Sequence, residues 1–183
     1  SVMIIGDSKA TVFQINKNIP GYKCGWALGG NRTTFKDISF RGTYSDSTLQ
    51  DGIFADSCNG IYVTNIGATR MAGSVVHMRR TGFCCGMYTV NAVRGNIISD
   101  CYFDSCQIGV TVDTVAEFIT IANTTCTNGG IGIFTAAGST NISSCGLGTN
   151  NYGIYMTGGS NNSHGTCENT HIPHNKQYGV YIT

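Results

Sequence analysis

The hydrophobic and polar positions of the sequence follow a short pattern that recurs between positions 98 and 156. Each copy begins with isoleucine, has a polar residue two positions later, and reaches a glycine eleven positions after the isoleucine. The copies begin at Ile98, Ile121 and Ile142, which gives a period of about 21–23 residues. Short β-branched runs between turn residues are typical of a solenoid of strands, and no amphipathic run is long enough for helical repeats. The pattern predicts an all-β fold, a right-handed parallel β-helix (β-solenoid) with coils of about 21–26 residues.

The repeat also predicts which side chains face the core, because alternate residues of a strand point to opposite faces. The glycines treated as equivalent are those at positions 52, 73, 109, 132, 153 and 179. Residues one and three positions after each glycine are mostly apolar and are predicted to face inward. The first interior column contains Val110, Ile133 and Ile154, together with Ser74, the residue after Gly73. Val76 belongs to the second interior column. Residues two and four positions after each glycine are predicted to face outward.

A polar residue lies two positions after each repeat start, at Asn65, Asp100, Asn123, Ser144 and Asn169. In stacked coils such a column forms a ladder of side-chain hydrogen bonds that satisfies the backbone of a bend, so we interpret Asp100 as structural. Ile38 is the earliest start that the pattern identifies. The later starts, which are predicted to stack in parallel register, are Val63, Ile98, Ile121, Ile142 and Cys167.

One connection between repeats is longer than the others. Elsewhere the next repeat start follows the aligned glycine after about 10–14 residues, whereas Gly73 is followed by a start only at Ile98. We assign the excess to an inserted loop at positions 78–95, which contains Arg79 and Arg80. Insertions in solenoids form loops on one face, often the binding face. A loop that packs on a neighbouring subunit is an equal alternative.

The two ends of the chain do not resemble the ends of a capped solenoid. The sequence opens abruptly on a strand-like run at Val2 and stops at Thr183 within another strand. A parallel solenoid needs capped ends, because a bare terminal coil leaves its hydrogen bonds and core open. We therefore expect positions 1–183 to be a single β-helix domain that is truncated at both ends, as part of a longer chain.

Composition narrows the classes of function. Charged residues make up 11% of the chain and the formal net charge is +1 with no basic run, so nucleic acid is not an expected partner. No apolar stretch approaches the length of a membrane span, so no membrane insertion is expected. The nine cysteines contain no C-x-x-C pair, and five of them fall on repeat positions. We interpret these five as buried free thiols, which fits folding in a reducing compartment.

The outward residues Asp56, His77 and Asp113 each lie four positions after an aligned glycine. In consecutive coils the two carboxyls would be about 9–10 Å apart with the imidazole between them. Inverting glycoside hydrolysis uses two carboxyls about 6.5–9.5 Å apart, so these three residues are the candidate catalytic groups. Arg79 and Arg80 are candidates to bind an acidic sugar, and Glu117 is a further substrate-binding carboxyl. The alternative is a solvated charged face without catalysis.

Aromatic residues occupy the neighbouring outward column at Phe134, Tyr155 and Tyr181. Exposed aromatics in a row either stack on sugar rings, which makes Phe134 and Tyr155 candidate substrate-binding residues, or lie in a subunit interface. With so few charges around them, an interface is slightly favoured. The histidines do not have a metal-binding spacing, so neither a metal nor another cofactor is predicted; those considered are His164, His171 and His174.

The opening coils resemble a known family. Ile4-Ile5-Gly6-Asp7 and the later run Thr34-Phe35-x-x-Ile38-x-Phe40-x-Gly42 are similar to the first coils of pectate-lyase-like right-handed parallel β-helices, most of all those of bacteriophage tailspikes and tail-fibre depolymerases. The resemblance implies a homotrimer in the phage tail, assembled in the bacterial cytoplasm with other virion tail proteins, that binds or cleaves a host surface polysaccharide. Calcium-binding aspartate clusters of the lyases are not evident, and catalytic positions differ within the family, so none is carried over by motif.

Two functions are therefore expected. The first is a tailspike-like protein that binds and cleaves host capsule or O-antigen polysaccharide, as a glycoside hydrolase rather than a lyase. The second is a non-catalytic β-helical shaft or receptor-binding module of a phage tail appendage. Cleavage of a host glycan separates the two.

Overall fold

The computed structural model describes residues 2–8, 11–14, 23–28, 31–42, 51–56, 59–79, 95–113, 116–136, 139–158 and 164–183. The regular structure of these residues consists of β-strands, with no helix. It follows that none of them belongs to a helix long and apolar enough to cross a membrane.

The described residues form twenty strands, each three to six residues long. In order they are β1 Val2–Ile5, β2 Val12–Gln14, β3 Lys23–Leu28, β4 Asn31–Lys36, β5 Ser39–Arg41, β6 Asp51–Asp56, β7 Asn59–Thr64, β8 Gly67–Thr69, β9 Ser74–Arg79, β10 Asn96–Ser99, β11 Tyr102–Asp104, β12 Ile108–Asp113, β13 Ile119–Ala122, β14 Thr125–Thr127, β15 Ile131–Thr135, β16 Ser139–Ser143, β17 Gly146–Gly148, β18 Tyr152–Met156, β19 His164–Glu168 and β20 Tyr178–Ile182.

The strands assemble into three parallel sheets. Sheet A has the order β1-β4-β7-β10-β13-β16-β19, sheet B the order β2-β5-β8-β11-β14-β17, and sheet C the order β3-β6-β9-β12-β15-β18-β20. Successive coils add their strands to the same sheets, and the pairings between them are parallel. The predicted parallel β-helix is therefore confirmed.

The core lies between the three sheets and consists of stacked columns. The repeat starts pair as predicted, with Val63, Ile98, Ile121, Ile142 and Cys167 in successive register. In the first interior column, Val110 pairs with Ile133, which pairs with Ile154, and all three side chains are buried. Both predictions of register are confirmed for these coils.

The bend between sheets A and B explains the polar column. Its residues have φ between 47° and 56°, the left-handed region that asparagine and aspartate tolerate better than most side chains. Nδ2 of Asn65 donates to Oδ1 of Asp37 at 2.6 Å, and Nδ2 of Asn123 donates to Oδ1 of Asp100 at 3.3 Å. The predicted structural ladder is confirmed.

The ladder also corrects the earliest repeat start. It includes Asp37, and Phe35 pairs with both Ile4 and Val63, so the start in this coil is Phe35 rather than Ile38. The sequence pattern missed this position because its side chain is aromatic rather than β-branched.

The early coils are longer than predicted. Thr33 pairs with Val2 and with Ile61, which gives repeats of about 28–31 residues. The step from Tyr62 to Ile97 is about 35 residues, whereas the later steps between paired starts are about 21–25 residues. Much of this extra length lies at positions outside the described residues, which include 43–50 and 80–94.

The predicted start of the inserted loop, at position 78, falls within a strand. Met78 and Arg79 belong to β9, so they are part of sheet C rather than of a loop. Positions 80–94 lie outside the described part of the chain. The sequence pattern placed the boundary too early because it ended the strand at His77, four residues after the aligned Gly73.

The alignment of β9 with its neighbours differs from the prediction by two residues. Val75, not Gly73, occupies the position of the aligned glycines, because Val76 pairs with both Ile53 and Val110. The residues of this strand in the two interior columns are therefore Val76 and Met78 instead of Ser74 and Val76. A shift of two residues keeps every side chain on the same face, so the alternation of apolar residues fits both alignments equally well.

The cysteines at bends act as hydrogen-bond donors. The thiols of Cys101, Cys106 and Cys145 each donate to the carbonyl oxygen two residues earlier, at 3.0 to 3.3 Å. The hydroxyl of Thr124, at the position equivalent to Cys101, does the same at 2.9 Å. These cysteines and Cys126 are buried thiols rather than disulfide partners, as predicted. Cys167 is also a thiol but is exposed, because it lies on β19, the edge strand of sheet A.

Candidate functional site on the outer face of sheet C

The column that begins at Asp56 contains Arg79 where the sequence analysis expected His77. Asp56 pairs with Arg79 between β6 and β9, and Arg79 pairs with Asp113 between β9 and β12. The two-residue shift of β9 moves His77 into the neighbouring column, between Phe54 and Thr111. The prediction that Asp56, His77 and Asp113 form one column is therefore wrong, although all three lie on the outer face of sheet C.

His77 nevertheless lies between two carboxylates. Its Nδ1 atom is 3.1 Å from Oδ2 of Asp51, and its Nε2 atom is 3.5 Å from Oδ2 of Asp113. Oδ1 of Asp51 accepts a 2.9 Å hydrogen bond from the backbone N–H of Ser74. Because an ionised carboxylate only accepts hydrogen bonds, the contact with Asp51 assigns a proton to Nδ1 and directs Nε2 towards Asp113.

Packing against Phe54 holds the imidazole in this orientation. The two ring centroids are 5.0 Å apart and the rings are nearly perpendicular. Nε2 is buried and has no hydrogen bond of its own. A buried polar atom without a hydrogen bond is costly, and the 3.5 Å contact with Oδ2 of Asp113 partly offsets that cost.

Asp56 and Arg79 form a close ion pair. Nη2 of Arg79 donates to Oδ2 of Asp56 at 2.6 Å, and the guanidinium lies 5.1 Å from the ring centroid of Phe54. Asp56 is 5% exposed, so the prediction of an exposed column is wrong for this residue. The prediction treated the sheet face as open to solvent, whereas Asp51 and Phe54 beside it are also buried.

The side chains that solvent reaches are Asp113, Arg79 and, less, His77. Their side-chain exposures are 35%, 39% and 20%. Asp56 and Asp113 are two strand spacings apart, or about 9–10 Å, which is at the upper limit for a pair of carboxyls in inverting hydrolysis. Since Asp56 is buried and bound to Arg79, the accessible proton-transfer groups are Asp113 and His77, with Arg79 as an anion-binding group.

One predicted substrate-binding residue, Glu117, lies apart from this group. Glu117 precedes β13 of sheet A, where its carbonyl oxygen accepts from Nδ2 of Asn96 at 3.4 Å. Within the described residues, no hydrogen bond or ion pair joins its carboxylate to His77 or Asp113. Arg80 lies outside the described residues, so its predicted role stays a prediction.

The aromatic residues continue the column of His77 along the helix axis. Phe134, Tyr155 and Tyr181 are in register, with ring centroids 5.7 and 5.0 Å apart for successive pairs. The predicted aromatic ladder is confirmed as a geometric feature. Thr111 separates it from His77, so the acidic and aromatic residues occupy one continuous strip of the sheet.

Two further tyrosines enlarge this ladder. Tyr152 stacks on Tyr178 with ring centroids 6.2 Å apart. Tyr152 also contacts Tyr155 of the ladder at 5.1 Å, and Tyr178 contacts Tyr181 at 5.0 Å. Strict alternation assigns Tyr152 to the inner face, but Gly153 interrupts the alternation. The Tyr-Gly-x-Tyr sequence, which occurs at Tyr152 and again at Tyr178, could have indicated that these tyrosines join the ladder. The five side chains are called the aromatic face below: Phe134, Tyr152, Tyr155, Tyr178 and Tyr181.

Asp51 was also missed by the sequence analysis. It precedes the aligned Gly52, a position that the repeat pattern did not consider. No shared residue type marks this column, and only the hydrogen bond to His77 reveals its importance. In the other coils the position is occupied by Lys23, Ser74, Ile108, Ile131, Tyr152 and Tyr178.

The described residues do not form an evident metal centre. No group of three or more histidine, cysteine, aspartate or glutamate side chains in the described ranges is placed to hold an ion. Burial raises the pKa of Cys106 to about 12 and the pKa of Cys126 well above its usual value. Because metals bind thiolates, these protonated thiols are poor ligands.

Comparison with known families identifies the chain. Residues 24–183 match the model of a family described as periplasmic copper-binding protein (NosD). The chain belongs to the NosD family. The match covers the strands that carry the site on sheet C, so the site belongs to the NosD-like part of the chain. No curated protein and no solved structure matched the sequence.

Proposed function

We propose that this NosD-family β-helix binds an extended bacterial surface polysaccharide along the outer face of sheet C and hydrolyses it beside Asp113. The observation that carries the proposal is the continuous strip that joins His77 and Asp113 to the aromatic face. Sugar rings present apolar faces that stack on aromatic side chains, and sugar hydroxyls bond to neighbouring polar groups. A strip that repeats from coil to coil suits a linear glycan better than a compact ligand.

The chemistry needs two proton transfers. Water attacks the anomeric carbon, the bond from that carbon to the glycosidic oxygen breaks, and the leaving oxygen gains a proton while the water loses one. We assign the proton of the attacking water to Asp113, which solvent reaches, with Nε2 of His77 at 3.5 Å to receive it. The leaving oxygen takes its proton from solvent water, because Asp113 and His77 lie too close together to flank one glycosidic bond. Asp51 orients the imidazole, and Arg79 binds an acidic substituent of the substrate while Asp56 fixes its position.

The biological setting follows from the resemblance of the opening coils to phage tailspikes. In this proposal three copies form a homotrimer in the phage tail, together with other virion tail proteins, and the substrate is host capsule or O-antigen. The second candidate is a shaft or receptor-binding module in which the aromatic face packs on another copy. Its support is the exposure of Tyr178, 52%, in a surface with few charges.

Copper binding, the activity in the family's description, is not proposed for the described residues. Copper(I) prefers clustered thiolates or thioethers and copper(II) prefers imidazoles, and neither set is assembled in these ranges. The buried cysteines serve as hydrogen-bond donors to bend carbonyls, which further separates them from ligand roles.

The proposal is tested by incubating the protein with a panel of purified bacterial capsules and O-antigens. New reducing ends without the ultraviolet absorbance of an unsaturated sugar indicate hydrolysis, and that absorbance indicates a lyase instead. Binding without cleavage favours the receptor-binding module. The proposal is rejected if the protein neither binds nor cleaves any polysaccharide of the panel. Tyr155→Ala should weaken binding, whereas Tyr62→Ala, on sheet A, is the matched aromatic control.

A further inference from the structure

A second polar groove lies on the outer face of sheet B, on a different side of the helix from the site above. Two adjoining depressions of about 330 and 480 Å³ share Arg41 and Thr69 in their walls. Each volume is in the range of small-molecule sites, so each depression is large enough for a sugar residue. Ser39, Gly67 and Tyr102 line the first, and Gln14, Arg70 and Asp104 line the second.

The register of sheet B explains why the groove forms. Ser39, Gly67 and Tyr102 occupy one position in successive coils. Gly67 has no side chain, so a gap opens between its neighbours, and Tyr102 projects at its edge with 49% exposure. The floor is the buried pair Phe40 and Ala68, which the core holds in place.

The groove has a local excess of positive charge. Arg41 and Arg70 are both exposed, and neither has a carboxylate partner within the described residues. The carboxylate of the nearby Asp104 is already occupied by bonds to its own bend and to the next coil. Oδ1 accepts from Asn128 Nδ2 at 2.7 Å and from Thr127 Oγ1 at 3.2 Å, and Oδ2 accepts from Ser105 Oγ at 3.0 Å.

The bend geometry fixes one of the arginines at this edge. Arg70 has φ of 55°, the left-handed conformation shared by the equivalent bend residues Ser105, Asn128, Thr149 and His174. A non-glycine residue in this region is uncommon, and the other bends use short polar or ring side chains. The guanidinium of Arg70 is not needed to stabilise this backbone conformation, so it is available to a ligand.

We infer that this groove binds an acidic sugar residue through its carboxylate. Guanidinium groups bind carboxylates in a planar, two-bond geometry, and an exposed tyrosine offers a stacking surface for the apolar face of the ring. Ser39, Thr69 and Gln14 supply hydroxyl and amide groups for the sugar hydroxyls. The inference goes beyond the proposed function, because it concerns a separate surface and holds whether or not sheet C cleaves a glycan.

Isothermal titration of the intact protein with short oligogalacturonate tests the inference. Arg41→Gln and Arg70→Gln should each weaken binding about tenfold or more, as expected for loss of a charge-assisted contact, and Tyr102→Ala should weaken it as well. Arg32→Gln is the matched control, because Arg32 is also exposed and has φ of 61° but lies outside the groove.

The competing outcomes are equally specific. Carboxyl-reduced oligosaccharide that binds as tightly as oligogalacturonate would show that the carboxylate is not recognised. Inorganic phosphate that displaces the sugar at equal concentration would show a general anion site and overturn the assignment to a sugar. Equal losses of affinity in Arg32→Gln and Arg41→Gln would show that only the net charge of the protein matters. Absence of binding by the unmodified protein would reject the groove as a binding site.

Discussion

Replacing Asp51 should separate the stability of the site from its chemistry. In Asp51→Ala the backbone N–H of Ser74 and the Nδ1–H of His77 both lose their acceptor in a buried environment. Each unsatisfied buried group costs about 1–3 kcal/mol, so the variant should lose about 2–6 kcal/mol of unfolding free energy. Asp51→Asn keeps an oxygen for Ser74 and should lose only about 1 kcal/mol.

Asp51→Asn, the less destabilising of the two variants, should nevertheless change the tautomer of His77. The side-chain amide introduced by Asp51→Asn donates towards Nδ1, so the neutral ring must carry its proton on Nε2, the atom that faces Asp113. Nε2 then cannot accept a proton in its neutral form, and hydrolysis should fall about a hundredfold or more. Because Asp51→Asn loses little unfolding free energy, it should lose activity without a matching loss of stability.

Three measurements test this reasoning together. Urea unfolding followed by circular dichroism gives the free energies, nitrogen NMR of the imidazole gives the tautomer, and reducing-end release gives the activity. Asp7→Asn, at an exposed carboxylate on the first coil, is the control and should change none of them. The reasoning is refuted if Asp51→Ala unfolds within about 0.5 kcal/mol of the unmodified protein, or if Asp51→Asn leaves the tautomer unchanged.

Three further outcomes are expected. Tyr155→Ala and Tyr181→Ala should each weaken glycan binding about two- to tenfold in a titration, since one aromatic contact contributes about 0.5–1.5 kcal/mol, and an unchanged affinity together with dissociation of an oligomer would assign the aromatic face to an interface. Cys145→Thr should keep the bond to the carbonyl of Ser143, whereas Cys145→Val should lose about 1 kcal/mol in urea unfolding; equal stability of the two would contradict the donor role. Alkylation mapped by mass spectrometry should modify Cys167 before Cys106 and Cys126, whose pKa values are raised by burial, and the reverse order would mean that the interior is accessible.

The sequence pattern predicted the fold because the regular coils satisfy several constraints at once. Ile98, Ile121 and Ile142 carry β-branched side chains at interior positions, and the polar residue two positions later occupies a bend that tolerates left-handed backbone. Each constraint selects the same register, so the prediction was correct from Val63 onward in sheet A. At Phe35 an aromatic residue replaces the β-branched one, and the pattern alone then chose a later start.

The site was predicted less well because its geometry depends on side chains rather than on alternation. A two-residue shift of β9 leaves Val76 buried in either alignment, yet it exchanges His77 for Arg79 beside Asp113. Asp51 and Tyr152 lie next to aligned glycines, where alternation does not hold. Hydrogen bonds such as that from His77 to Asp51 join residues 26 positions apart and leave no local trace in the sequence.

Reducing-end release by the unmodified protein and by Asp113→Asn, from the same polysaccharide, tests the central claim most directly. The account predicts measurable hydrolysis by the unmodified protein, a rate about a hundredfold or more lower for the variant, and equal urea midpoints for both, because the Asp113 side chain is about one-third exposed. A variant that hydrolyses the polysaccharide as fast as the unmodified protein would contradict the assignment of the active site to the outer face of sheet C.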